Sequence, residues 1–151
     1  MAIARVQGAG NTETSQATSL AVTLSSTTAG NLVAVLIQMH GTGTPANDVA
    51  ESLALALALG EHGRTVPVSS TKSVHGHALG AAGALEAFAT VMALHHREIP
   101  PTANFTELDP ACDVNVIVAP TRAPDLRAAL SNSFAFGGLN AVLAFRDPAA
   151  L

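Results

Sequence analysis

The sequence predicts an α/β fold whose final strands pair antiparallel, and three observations carry that reading. Strand-like and helix-like segments alternate through the middle of the chain. The chain closes on two strand-like runs, "RAALSNSF" and "NAVLAF", that adjoin through "AFGGL" with no helix between them. Nearly half of the 151 residues are hydrophobic but only 3% are aromatic, and alanine is abundant, which suits closely packed helices on a sheet better than a disordered chain.

Each element has its own signal. "AIARVQG" alternates, "SLAVTL" is a short β-run, and "LVAVLIQM" is apolar enough for a buried strand. Between them "GNTETSQATS" reads as loop and "SSTTAGN" as turn. Residues 40–45 break regular structure with two glycines and a proline. Asn47-Asp48 then opens a helix, with Asp48 and Glu51 in a capping pattern. "ESLALALALG" alternates as a strand would, yet Ala and Leu are strong helix formers and Gly60 ends the run, so the prediction is helix. Its leucines at 53/57 and 55/59 form i,i+4 pairs and predict a broad, partly exposed apolar surface. "TVPVSS" is a short strand. A helix from about Leu79 to His96 follows, with Leu85, Phe88, Ala89 and Met92 on its apolar face and Gly80 and Gly83 permitting close approach. "REIPPTANFTELDPAC" is a long loop and "DVNVIV" a strand. The chain shows no internal repeat and no low-complexity linker.

Composition narrows the function classes. A net charge of −4 with no run of Lys or Arg argues against a nucleic-acid partner. Cys112 is the single cysteine, which excludes an intrachain disulfide. The N-terminus lacks an apolar core of signal-peptide length, and the longest apolar run, Ala78 to Leu94, contains Glu86 and two glycines and is too short for a bilayer. A cytoplasmic protein without a membrane partner is the expectation.

Three clusters could carry chemistry. In "HGTGTPAND" a histidine at a strand end runs into glycines, which allow close backbone approach to a ligand, and threonines, which offer hydroxyls; a tight turn before a helix is the competing reading. In "KSVHGHALGAAGALEA" His77 precedes a predicted helix N-terminus, and Lys72 and Glu86 can pair in apolar surroundings and fix it; a buried salt bridge with a solvated histidine pair competes. In "SNSFAFGGLNA" two phenylalanines precede a Gly-Gly turn, which an ordinary hairpin also explains. Rival motifs are weak. His75-x-His77 lacks a third ligand at metal spacing, and "GAGNTE" lacks the third glycine of a dinucleotide fingerprint. His62, His95 and His96 read as surface residues, and Cys112 in "DPACD" has no base nearby in sequence and reads as structural.

In this order, "HGTGTPAND", "SSTKSVHGHALGAAGALEA", "PPTANFTELDPACD" and "LSNSFAFGGLNAVLAF" resemble the C-terminal half of β-ketoacyl-acyl carrier protein synthases, closest to the two-histidine elongating type of bacterial type II fatty-acid and polyketide systems. The resemblance covers about Gln38 to Arg146. It implies the C-terminal half of the thiolase-like fold, a mixed sheet flanked by helices with antiparallel final strands. It implies decarboxylative Claisen condensation of malonyl-acyl carrier protein with an acyl thioester, with acyl carrier protein as partner and no cofactor or metal in the chemistry. His40 and His77 match the two active-site histidines, whose N–H groups would stabilise the enolate as an oxyanion hole does. Lys72 matches the motif lysine and Glu86 the acid that anchors it, a brace expected to position His77, while His75 falls at a variable position. Thr42 and Thr44 match threonines that bond the pantetheine arm; Phe136 matches the gating phenylalanine, with Phe134 beside it in the substrate-contacting loop. Ser131, Asn132 and Glu86 match positions where some members hold a structural monovalent cation, and Gln38 stands where those members have asparagine.

The resemblance also predicts what this chain lacks. The family's nucleophilic cysteine lies in an N-terminal half, and Cys112 falls on a loop position instead. The expected organisation is an atypical β-rich segment over 1–37, either a degenerate start of the half or a fusion, followed by a ketosynthase C-terminal domain over 38–151. On its own the chain is expected to be inactive in acyl transfer and to need the missing N-terminal half or a homodimer partner. The alternative is a non-catalytic remnant or an interaction subunit of a synthase complex.

Overall fold

The computed structural model describes residues 4–6, 34–135 and 137–148. The readings placed on "SLAVTL", "GNTETSQATS" and "SSTTAGN", and Phe136, lie outside the described residues. In chain order the strands are β1 (Ala4–Val6), β2 (Ala34–Gln38), β3 (Pro67–Ser69), β4 (Glu98–Ile99), β5 (Asn115–Val116), β6 (Thr121–Arg122), β7 (Leu126–Ala135) and β8 (Leu139–Arg146). The α-helices are α1 (Pro45–Leu59), α2 (Lys72–His75) and α3 (Ala82–His96). Among the described residues, six strands form a mixed sheet in the order β1-β8-β7-β2-β3-β5, and β4 and β6 make a separate antiparallel pair. β2 runs parallel to both β3 and β7, whereas β8 is antiparallel to β7 and β1. The antiparallel close expected from "AFGGL" is therefore present, between Ala128↔Arg146 and Ala135↔Leu139.

Alternation along β2 sorts the two cores. Leu36 packs with Ala93, Leu94 and Ile99 on the face that α3 covers, and Ile37 packs with Leu55 and Val68 on the face that α1 covers. "ESLALALALG" is helical because its one buried leucine, Leu55, is all the sheet needs from it; Leu53 and Leu57 stay 56% and 76% exposed. The predicted apolar surface is thus real.

Four local predictions are corrected. α1 does not start on a side-chain cap at Asp48: Thr44 is its N-cap without a side-chain bond, and Pro45 occupies the first position, where a proline's missing N–H costs nothing. On α3 the predicted face is the outer one. Leu85 and Phe88 are exposed, while Glu86 and Thr90 are fully buried beside Ala82, Ala93 and Leu94. The polar pair can face inward because Glu86 has a cationic partner and Thr90 Oγ1 donates to the Glu86 carbonyl at 2.7 Å. Helix α3 also starts later than Leu79, after a 3₁₀ turn over Leu79–Ala81. Among the described residues nothing lies within contact distance of a Cβ at Gly80, and one at Gly83 would meet Ser133 Oγ at ordinary contact distance, so neither serves close packing there.

Candidate active site

The site starts where β2 leaves the sheet. Met39 N–H still donates to the Ser69 carbonyl at 2.8 Å, but His40 and Gly41 run past the ladder and must find other partners. Side chains supply all four. Glu51 Oε1 accepts from His40 N–H at 2.9 Å, and Glu51 Oε2 from Gly41 N–H at 2.7 Å. Lys72 Nζ donates to the His40 carbonyl at 2.7 Å, and Ser70 Oγ to the Gly41 carbonyl at 3.0 Å. Gly41 has φ +42°, and a Cβ there would lie 2.6 Å from Ser70 Cβ, so this step of "HGTGT" requires glycine on two counts.

Lys72 opens α2 and turns inward. Its ammonium pairs with Glu86 Oε1, and both side chains are almost wholly buried. It also lies 3.3 Å from His40 Nδ1. An ammonium has only donors, so Nδ1 is the accepting nitrogen and the ring's proton sits on Nε2. His77 reaches the same tautomer differently, because its Nδ1 accepts from Leu79 N–H at 3.2 Å. The two rings meet edge to face at 5.7 Å between centroids, and Phe134 lies 5.8 Å from His40 on another side. Burial, then the charge of Lys72 and the nearness of His77, lowers the His40 pKa to about 4, against a smaller opposing pull from Asp48. At neutral pH His40 is an uncharged donor.

The sequence reading is corrected on the brace. Lys72 and Glu86 do pair, but the lysine holds His40, not His77, through its ring and its carbonyl together. His77 is held by the turn that precedes α3. His75 ties down its own segment, with Nδ1 on the Gly76 carbonyl at 2.7 Å and Nε2 near Thr71 Oγ1 at 3.2 Å.

A cavity of about 620 Å³ opens beside His77, lined by Gly41, Thr42, Lys72 and His77 on one side and by the loop after β4, including Thr102 and Phe105, on the other; His40 is not among its lining residues. Thr102 Oγ1 accepts from Ser70 N–H at 3.0 Å, and Ser73 Oγ accepts from Ala103 N–H at 2.8 Å, which pins that loop to the start of α2. Thr42 lines the cavity and its hydroxyl is 3.0 Å from that of Thr44, which stands exposed outside the lining. Cys112 also lines the cavity. Its thiol is pushed up by burial and by Asp109 and Asp48, which opposes a nucleophilic role.

Residues missed from sequence are those that hold backbone. Glu51 looked like a cap, and no backbone role was assigned to Ser69 and Ser70, although adjacent hydroxyls at a strand end were a usable sign of side-chain-to-backbone bonding. Four buried side-chain oxygens lack partners among the described residues: Gln38 Oε1, Glu86 Oε2, Ser131 Oγ and Asn132 Oδ1. Gln38 and Ser131 are direct register partners, and Gln38 Nε2 donates to Thr71 Oγ1 at 3.0 Å, which leaves its Oε1 as the unpartnered end. Neutral oxygens with one carboxylate fit a hard, singly charged cation.

Three comparisons bear on this arrangement. Residues 4–106 match the family model described as β-ketoacyl synthase, C-terminal domain. The chain is 53% identical over 111 residues to nodulation protein E of Rhizobium sp., covering 74% of this chain and 28% of that protein. It is 52% identical over 110 residues to 3-oxoacyl-[acyl-carrier-protein] synthase 2 of Synechocystis sp., covering 73% and 26%. Among solved structures, AntDE:AntF, a type II polyketide synthase acyl carrier protein in complex with its ketosynthase bound to the hexaketide, superposes with a TM-score of 0.72 at 36% identity, covering 76% and 28%. The chain thus spans about a quarter of the length of the proteins it matches.

Proposed function

Because the chain belongs to the β-ketoacyl synthase C-terminal domain family, we propose that it supplies the decarboxylating side of a condensing site, with His40 and His77 as the paired donors. The carrying observation is the edge-to-face approach of these rings at 5.7 Å, with both Nδ1 atoms engaged and both Nε2–H groups left to donate.

In the proposed reaction the bond between the malonyl methylene and its carboxylate breaks. CO₂ leaves, and the electron pair moves into the thioester, placing negative charge on its oxygen. Two N–H donors aimed at that oxygen bind it more strongly as its charge grows, which lowers the barrier. A neutral His40 keeps its proton and acts as a donor, while Lys72 fixes the ring's tautomer and holds its carbonyl. The methylene carbon of the enolate then attacks an acyl group carried on a cysteine of an N-terminal half, and the cysteine departs as thiolate. Thr42 and Thr44 bond the pantetheine arm, Phe134 and Phe136 gate the acyl side, and acyl carrier protein delivers both groups. Gln38, Glu86, Ser131 and Asn132 would offer oxygen ligands to a monovalent cation, which would have a structural role and no part in the chemistry.

The test joins this chain to an N-terminal half from a relative and follows CO₂ release from malonyl-acyl carrier protein. His40→Ala and His77→Ala each lower the rate by about 100-fold or more, the size expected for losing one oxyanion donor, and His75→Ala changes it by less than about threefold. Equal losses in all three variants overturn the assignment. No release from the joined wild-type chain favours a non-catalytic subunit.

A further inference from the structure

We infer that Glu51 is a positioning residue for His40, acting through the backbone of the His40–Gly41 step. The inference rests on the proposed function, since it assigns Glu51 to the same site.

Glu51 is the one acid of α1 beyond its first turn, and it is 2% exposed. A buried carboxylate needs partners or it is lost from the site. Here every partner is a donor: His40 N–H at 2.9 Å, Gly41 N–H at 2.7 Å and Asn47 Nδ2 at 2.9 Å. Burial raises its pKa, and these three bonds pull the other way. A helix cap would spend the carboxylate on the N–H groups of α1 itself, but the first turn of α1 is bonded to the Thr44 carbonyl. Both oxygens of Glu51 are instead given to a neighbouring loop.

Two adjacent N–H groups gripped by one carboxylate fix the two peptide planes that flank His40, Met39–His40 and His40–Gly41. Those planes set Gly41 at its positive φ and set the direction from which the His40 ring leaves the chain. Lys72 then fixes the ring's tautomer, so Glu51 and Lys72 hold the same residue from opposite ends. The substitution Glu51→Gln leaves one acceptor oxygen where two are needed and aims an NH₂ at a backbone N–H.

The experiment measures amide hydrogen exchange by NMR on the full chain, wild type against Glu51→Gln. Expected is an increase of about tenfold or more at His40 and Gly41, with Leu36 and Ile37 within about twofold, the size of one lost charge-assisted bond. In the chain joined to an N-terminal half, Glu51→Gln should lower kcat for decarboxylation by about tenfold with KM within about twofold. Asn47→Ala removes one of the three bonds and should accelerate Gly41 exchange to an intermediate degree, which keeps the test open if Glu51→Gln does not fold. Unchanged exchange at His40 and Gly41, or a uniform rise at all amides in the variants that fold, overturns the inference. Failure of the wild-type joined chain to decarboxylate would overturn the proposed function instead, and the exchange result would stand apart from it.

Discussion

Lys72 Nζ touches His40 twice, donating to its carbonyl at 2.7 Å and facing its Nδ1 at 3.3 Å, while its third contact is the carboxylate of Glu86. One cation thereby joins α2, α3 and the end of β2 in a place water barely reaches.

Removing only the lysine leaves a buried carboxylate without its charge partner. Lys72→Met should cost about 3–5 kcal/mol in urea denaturation, and Lys72→Met with Glu86→Leu should recover much of it, because apolar replacement of both partners removes the desolvation penalty. A loss below about 1 kcal/mol for the single variant would contradict a buried, coupled pair.

The low pKa of His40 gives a signed pH dependence. The unfolded ring takes its proton near 6.5 and the folded ring only near 4, so between these values the unfolded state binds more protons and stability falls as pH falls. Glu51 works the other way, since its raised pKa lets the folded state bind a proton first. Imidazole NMR should place the His40 midpoint near 4. The stability slope across this window should weaken in His40→Gln; an identical slope would mean the ring is not held neutral by the fold.

Cys112 should be slow toward alkylating reagents. Its thiol is buried and raised by neighbouring carboxylates, so at about pH 7.5 its rate should be at least about tenfold below that of a free cysteine and should recover in urea. Rapid labelling of the native chain would return Cys112 to the list of nucleophiles.

The outer stripe of α1 should govern association and leave folding alone. Leu53 and Leu57 sit one turn apart and mostly exposed. Leu57→Gln should change stability by no more than about 0.5 kcal/mol while lowering self-association in sedimentation velocity. A large destabilisation would mean that Leu57 packs inward.

His40, Lys72, His77 and Glu86 were legible through motifs that resemble those of the family, and the structure brings the four side chains together. Their wiring was not legible. Whether Lys72 reaches His40 or His77 depends on how α2 turns at the sheet edge, and no periodicity encodes that. The inward face of α3 was misread because Glu86 and Thr90 are polar by type and core by partner. Glu51 was visible as an acid but read as a cap, since its true partners lie outside its own helix. The antiparallel close of β7 on β8 was legible, because alternation and the Gly-Gly turn are local signals. The order of the remaining strands was not, since β2 sits between two strands that lie far from it in sequence.

The peptide groups of His40 and Gly41 have partners 10, 11, 29 and 32 residues away. No local segment can satisfy them, so the loop cannot take its working shape ahead of the rest. Helix α1, the end of β3 and helix α2 must all be seated before the last of these contacts closes. Competence at this loop therefore coincides with completion of the fold, and an intermediate missing any one of the three would carry every motif residue and no site.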